Sequence, residues 1–224
     1  VGEAFSTRPF FAQIADAGIR VLDLEDVFVK QRKAGTEMHC KTDAHFTPHA
    51  CQVIAELLIG RFKGEDWFQE QEKLEIVRSE PTQLKITGDQ VPKDQRGSLT
   101  ELIDLRYCGL KKGDQIEPVE PDPDSPILLL GDSHTLVFQE GSSRGMHCKG
   151  AGLLDQLQAE AGFALDLVGV RGSGQKAARY QLYREANADP DYWKRKKLVI
   201  WCFSVREFTQ SFDTLVDVPI MRKS

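Results

Sequence analysis

Three short stretches hold residue types that do chemistry. Gly131-Asp132-Ser133-His134 directly follows the apolar run Ile127-Leu128-Leu129-Leu130. A serine at a sharp turn beyond a strand is a candidate nucleophile. A helix starting there would aim N–H groups and a positive dipole end at a developing oxyanion. Taken alone, Asp132 or Ser133 reads as a helix cap. A second stretch, Lys41-Thr42-Asp43-Ala44-His45-Phe46-Thr47-Pro48, changes that balance. In an extended segment, residues i and i+2 share a face. Asp43 then reaches one ring nitrogen of His45, fixes its tautomer and leaves the other nitrogen to take a serine proton. The plainer alternative is a surface Asp beside a hydrogen-bonded His. A metal centre is the sharper rival, because His39, Cys40, Asp43, His45 and His49 crowd into eleven residues. Their spacing fits no HExxH pattern, and the helix expected at Thr47-Pro48 starts after His45. The serine reading is therefore preferred and no metal is expected. The third stretch is Arg171-Gly172-Ser173-Gly174-Gln175. It lacks both the phosphate-loop and the dinucleotide glycine pattern. A backbone N–H of Gly172 or Gly174 would serve as an oxyanion donor; a tight strand-to-helix turn explains the same residues equally well.

The elements around these stretches must bring them together. Phe10, Phe11, Ile14 and Ala15 are spaced as one helix face that ends at Gly18, and Ile19 to Leu24 reads as a strand. Thr47 is a good N-cap, and Pro48 loses nothing at the first helical position. Cys51, Ile54, Leu57, Leu58 and Phe62 continue that helix as an apolar stripe. The polar region 63–114 reads as an insertion, with strand-like pieces near Leu74–Val77 and Leu84–Ile86. Residues 117–126 carry four prolines and four acids and form an extended connector. Beyond it the pattern is regular. Ile127–Leu130 is a strand buried on both faces, and Leu153, Leu154, Leu157 and Ala161 mark a helix ending at Gly162. Ala164–Val170 is a strand, Gln175–Glu185 a helix, and Leu198–Phe203 a third buried strand. Lys194-Arg195-Lys196-Lys197 reads as a solvated helix end. Strands alternating with helices imply parallel pairing with right-handed crossovers. The expected fold is α/β: a three-layer α/β/α sandwich with a mainly parallel sheet, as one domain over 1–224.

The 224 residues carry 29 Lys+Arg against 34 Asp+Glu, a formal charge of −5. That excess of acid argues against nucleic acid, whose phosphates require a surplus of bases. A hydrophobic fraction of 41% is globular composition. No apolar run approaches the ~18 residues of a membrane span. The five cysteines show no CxxC spacing and are odd in number, so neither a disulfide framework nor a zinc ribbon is expected. The chain opens on Val1 rather than Met, as a processed piece of a longer protein would, and a signal peptide is not expected within it.

The Gly-Asp-Ser after a buried strand resembles the SGNH (GDSL) hydrolases. Those enzymes usually carry Asp-x-x-His near the C-terminus, whereas here Asp43-Ala44-His45-Phe46-Thr47-Pro48 lies upstream of the serine. That order is similar to the SGNH-hydrolase-like domain of bacterial alginate O-acetyltransferases of the AlgJ/AlgX type. The stretch 17–24, Arg96-Gly97-Ser98-Leu99, and Val199-Ile200-Trp201 followed by Arg206-Glu207 resemble further segments of that family. The likeness runs from about Phe10 to the C-terminus. It implies Ser133 as nucleophile, His45 as general base, Asp43 as orienting carboxylate, and Arg171, Gly172 and Gly174 as substrate or oxyanion contacts. Phe46 stands where Trp is commoner, no Gly-x-Asn-Asp block is present, and the family's first strand ahead of the initial helix has no counterpart. The resemblance further implies a cofactor-free O-acetyltransferase or acetylesterase acting on a cell-envelope polysaccharide in exopolysaccharide biosynthesis. Export to the periplasm or cell envelope, and a membrane-bound acyltransferase as donor-side partner, belong to the same implication. The alternative is an inactive carbohydrate-binding or assembly module of the same fold.

Overall fold

A computed structural model describes residues 8–172, 174–204, 207 and 218–220; Ser173 and Arg206 lie outside the described residues. Contacts divide the chain into two compact units, Val1–Met38 and His39–Ser224. The first holds α1 (Arg8–Asp16), where the Phe10/Ile14 spacing predicts it, and α2 (Glu25–Lys33). Residues 19–24 form no strand. Asp23 instead accepts the Glu25 N–H at 2.9 Å and pairs with Arg8 at 3.4 Å, so this segment ends in a helix start. Glu25 and Asp26 in the first turn of α2, and Lys30, Arg32 and Lys33 in its last, complement the helix dipole.

The larger unit opens with α3 (Pro48–Gly60), capped by Thr47, whose hydroxyl accepts the Ala50 N–H at 3.1 Å. After α4 (Asp66–Gln69) come β1 (Ile76–Arg78), β2 (Thr82–Ile86), β3 (Glu101–Leu105), β4 (Cys108–Lys112) and β5 (Gln115–Glu117). They form an antiparallel sheet in the order β1-β4-β5 and an antiparallel hairpin β2-β3. Next are β6 (Ile127–Gly131), α5 (Leu153–Ala161), β7 (Asp166–Gly169), α6 (Gly174–Ala188), α7 (Tyr192–Arg195) and β8 (Leu198–Cys202). Here the sheet is parallel, in the order β7-β6-β8. The expected mainly parallel sheet is thus corrected: among the described residues three strands pair in parallel and five antiparallel. A parallel pair needs a crossover of a dozen or more residues. The helices before β7 and β8 supply one; the two-residue link Gly113-Asp114 between β4 and β5 does not.

All five residues of β6 are buried. Leu128 and Leu130 pack with Val168 of β7 and with Ala178, Leu182 and Ala186 of α6. Ile127 and Leu129 face the other way and have no exposure either. A Cβ on Gly131 would lie 2.1 Å from the Cys202 carbonyl oxygen, so only glycine lets β6 and β8 close at that end. The expectation that β8 is buried on both faces fails, because Val199 and Trp201 are 41% and 44% exposed while Ile200 is buried. An edge strand covered on one side alternates in this way. In the basic cluster Lys194 and Lys197 are exposed at a helix end as expected, but Lys196 is not. The Lys196 side chain is 2% exposed, its ammonium 2.7 Å from Asp166 and donating to the carbonyls of Pro123 and Ser125. It ties the proline-rich segment to β7 rather than standing in solvent. All five cysteines are free thiols, and no helix among the described residues is long and apolar enough to cross a membrane.

Asp155 in α5 accepts the Gly152 N–H at 2.9 Å. Burial pushes its carboxyl from an ordinary 3.8 to about 7, against that hydrogen bond. A raised carboxyl pKa gives stability that is complete below the unfolded value and drains away as pH rises to the folded one. Asp155→Asn keeps the capping oxygen and removes the charge. Its melting temperature should exceed that of the wild type at pH 8 and match it at pH 4.

Candidate active site

Ser133 stands where the buried β6 runs out. Asp132 breaks the strand and caps a single 3-10 turn, Ser133–Thr135. Its Oδ1 accepts the His134 N–H at 2.9 Å and the His134 Nδ1–H at 3.0 Å, and its Oδ2 accepts the Ser204 N–H at 3.1 Å. Burial opposes its ionisation, but these donors hold the Asp132 carboxyl below its ordinary range. The expected helix dipole behind Ser133 is absent, since a three-residue turn sums too few peptide units.

The Asp43–His45 couple forms, by a different local route from the one expected. Residues 41–45 bend instead of extending, and the bend is closed by the Cys40 N–H on the His45 carbonyl at 3.0 Å. Asp43 Oδ1 then accepts both the His45 backbone N–H at 3.1 Å and the His45 Nδ1–H. The Asn/Asp habit of bonding the backbone two residues on therefore aligns the ring as well. Across 88 residues of sequence, Ser133 Oγ–H donates to His45 Nε2 at 2.7 Å. Phe46 backs this group, its ring 4.9 Å from His134, whose own ring lies 5.0 Å from His45.

The polar region 63–114 supplies most of the brace, which sequence inspection missed. Glu101, at the start of β3, accepts the Lys41 N–H, the Thr42 N–H and the Thr42 hydroxyl at 2.6–2.8 Å. The loop after β2 donates the Asp89 N–H to Asp43 Oδ2 at 3.2 Å, and the Asp89 carboxylate accepts the Ala44 N–H at 2.9 Å. Gly88 passes so close that a Cβ there would sit 2.1 Å from the Thr42 carbonyl and 2.4 Å from the Asp43 Cβ. A further donor, His147 Nε2–H, reaches Asp43 Oδ2 at 2.9 Å from 104 residues away. Burial would raise the Asp43 carboxyl, yet the hydrogen bonds from His147 and His45 hold it well below the usual carboxylate range. Nothing in the local sequence around Asp89, Glu101 or His147 announces these contacts; a glycine before Asp89 is the faintest of signals.

Asp43, His45, Asp89, Arg96, His147 and Arg171 line one cavity of about 380 Å³. Arg171 arrives there because β7 lies beside β6: the Val170 N–H donates to the Gly131 carbonyl at 3.1 Å, and the chain then turns through Gly172, at φ +76°, towards α6 starting at Gly174. The Arg171 guanidinium donates to the Arg144 carbonyl. Of the rival metal set, the structure does not gather His39, Cys40 and His49 with the couple. Among the described residues the candidate group is Asp43, His45 and Asp89, with ligand atoms within 4.8 Å of one another. In it, His45 Nδ1 and Asp43 Oδ1 are spent on each other, which fits a hydrogen-bonded couple better than a metal's donor set. Burial also pushes the Cys40 thiol up, away from the thiolate a metal binds. The arrangement can take a proton from a serine hydroxyl and carry it on an imidazole fixed by a carboxylate.

The structure is similar to the O-acetyltransferase domain of Pseudomonas putida AlgJ, with a TM-score of 0.59 at 18% identity over 87% of this chain and 62% of that one. A more distant likeness is to Pseudomonas aeruginosa AlgX, with a TM-score of 0.47 at 19% identity over 78% of this chain and 41% of that one. The chain thus spans less than two thirds of either structure, and the first likeness speaks for the fold. No curated protein matches. Residues 5–205 match the family described as the SGNH hydrolase-like domain of the acetyltransferase AlgX. A match over nearly the whole chain, on an α/β fold of the kind the upstream Asp-x-His and the later Gly-Asp-Ser suggested, means that the chain belongs to that family.

Proposed function

We propose that the protein transfers acetyl groups to a cell-envelope polysaccharide through an acetyl ester on Ser133. The 2.7 Å bond between Ser133 Oγ and a His45 ring already anchored on Asp43 carries this reading. His45 Nε2 takes the hydroxyl proton as Oγ bonds to the acetyl carbon of the donor ester. The donor C–O bond then breaks, and its oxygen leaves with that proton. A sugar hydroxyl next gives its proton to His45 and attacks the acetyl carbon, and Ser133 regains its proton as the acyl–Oγ bond breaks. Water in the sugar's place gives the esterase reaction. Arg171 and the backbone N–H groups of Gly172 and Gly174 face the oxyanion or the sugar, a role supported by the position of Arg171 on the cavity that holds Asp43 and His45. Export to the periplasm or cell envelope, and a membrane-bound acyltransferase as acetyl source, follow from the family resemblance.

Incubation with p-nitrophenyl acetate, acid quenching and peptide mass analysis test this. The peptide carrying Ser133 should gain one acetyl group, and a de-acetylated polysaccharide should discharge it faster than buffer does. A protein that binds the polysaccharide yet never acquires the acetyl mark is the carbohydrate-binding module instead.

A further inference from the structure

Among the described residues, Phe138 and His147 are the only non-glycine positions with positive φ, at 58° and 65°. Their rings meet, 5.1 Å between centroids. Side chains are rarely held there, and such positions persist only where the surroundings over-determine them. The surroundings of His147 do so. The Cys148 N–H bonds the Met146 carbonyl at 2.8 Å, closing a three-residue turn with His147 at its centre, and the Phe138 N–H bonds the same carbonyl at 3.0 Å. This turn delivers the His147 Nε2–H to Asp43 Oδ2, 2.9 Å away, while His45 holds Oδ1.

We propose that His147 is a positioning residue that clamps the second oxygen of Asp43, so that one carboxylate braced by two imidazoles orients His45 towards Ser133. This rests on the acyl-transfer reading of the site. Without His147, Oδ2 keeps only the longer 3.2 Å bond from the Asp89 N–H, and the carboxylate is freer to swivel about its Cβ–Cγ bond and carry the His45 ring with it. The shorter 2.9 Å bond from His147 restrains that swivel, and misplacement of reacting groups by about 1 Å costs on the order of 10²-fold in rate. The clamp also spends part of the anion's hydrogen-bonding capacity on His147. Without it, Asp43 favours the His45 imidazolium more strongly. The other titratable or charged groups facing this pair are Asp89, Arg96 and Arg171 on the cavity and His134, whose ring lies 5.0 Å from that of His45, and all of them remain when His147 is replaced.

His147→Phe keeps the ring against Phe138 and loses the donor; His147→Gln keeps an N–H at the same reach. The Phe variant should lose about 10- to 100-fold in kcat on an acetyl ester with little change in KM, and its acid limb in kcat/KM should move to higher pH. The Gln variant should recover most of both. His45 titration followed by NMR in a Ser133→Ala background gives a readout independent of turnover, and there His147→Phe should raise the His45 midpoint. An unchanged His45 midpoint, or Gln and Phe variants equally impaired, overturns the clamp. A raised midpoint in a protein whose wild type shows no serine-dependent turnover leaves the clamp standing and defeats the acyl-transfer reading instead.

Discussion

Ser133→Ala should abolish acetyl-ester turnover, with kcat falling by at least about 10³-fold. Nothing else at the end of β6 can substitute as nucleophile: Asp132 is committed to His134 and Ser204, and Thr135 is fully buried with its hydroxyl on the Asp132 carbonyl at 2.8 Å. Stability should hardly change, because among the described residues the Ser133 hydroxyl serves only the bond to His45 and the backbone turn does not depend on it. Steady-state kinetics on p-nitrophenyl acetate, read beside thermal melts of both proteins, make the comparison. Equal rates for wild type and variant would assign the hydrolysis to surface groups and end the acyl-enzyme proposal.

Asp43→Asn should also be severely damaging, on the order of 10⁴-fold in kcat, by a different route. Asp43 accepts four N–H groups: the ring and backbone of His45 on Oδ1, and His147 and Asp89 on Oδ2. An asparagine turns one of those acceptors into a donor. If the amide nitrogen faces His45, Nδ1 must give up its proton, Nε2 must carry one, and the ring can no longer accept from Ser133. If it faces the other way, it meets the N–H groups of His147 and Asp89. The same substitution changes the response to acid. A carboxyl held below its ordinary 3.8 contributes stability that is present above that value and is lost as pH falls through the folded one. Wild-type melting temperature should therefore drop as pH is lowered below about 4, and less steeply in Asp43→Asn. Some of the drop should remain, since Asp132 is depressed in the same direction. A slope unchanged by the substitution would mean that Asp43 is not the anion the geometry makes it.

The polar region between α3 and the proline-rich connector has a part in both outcomes. Its strands look like an excursion from the α/β pattern, yet Gly88, Asp89 and Glu101 hold the bend that carries Asp43 and His45. Destabilising the β2-β3 hairpin therefore acts on catalysis through the orientation of a carboxylate, without removing a reacting group.

What the amino-acid sequence determined by itself is what short-range forces decide. Thr47-Pro48 starts a helix because a cap and a proline act within four residues, and Ile127–Leu130 is a covered strand because nothing polar interrupts it. Asp43 finds His45 because the two are neighbours on one tight bend. Tertiary structure decided the rest. Residues 19–24 have strand composition but form no ladder, and the alternation in β8 leaves Trp201 exposed. Lys196 sits in a basic run and is nonetheless buried on Asp166. The partners that fix Asp43 from 46 and 104 residues away are set by which loops the packed sheets bring to one end. A hydrogen bond between distant residues costs loop-closure entropy that only the completed core offsets, so its presence is written in the fold and not in the spacing of the residues that make it.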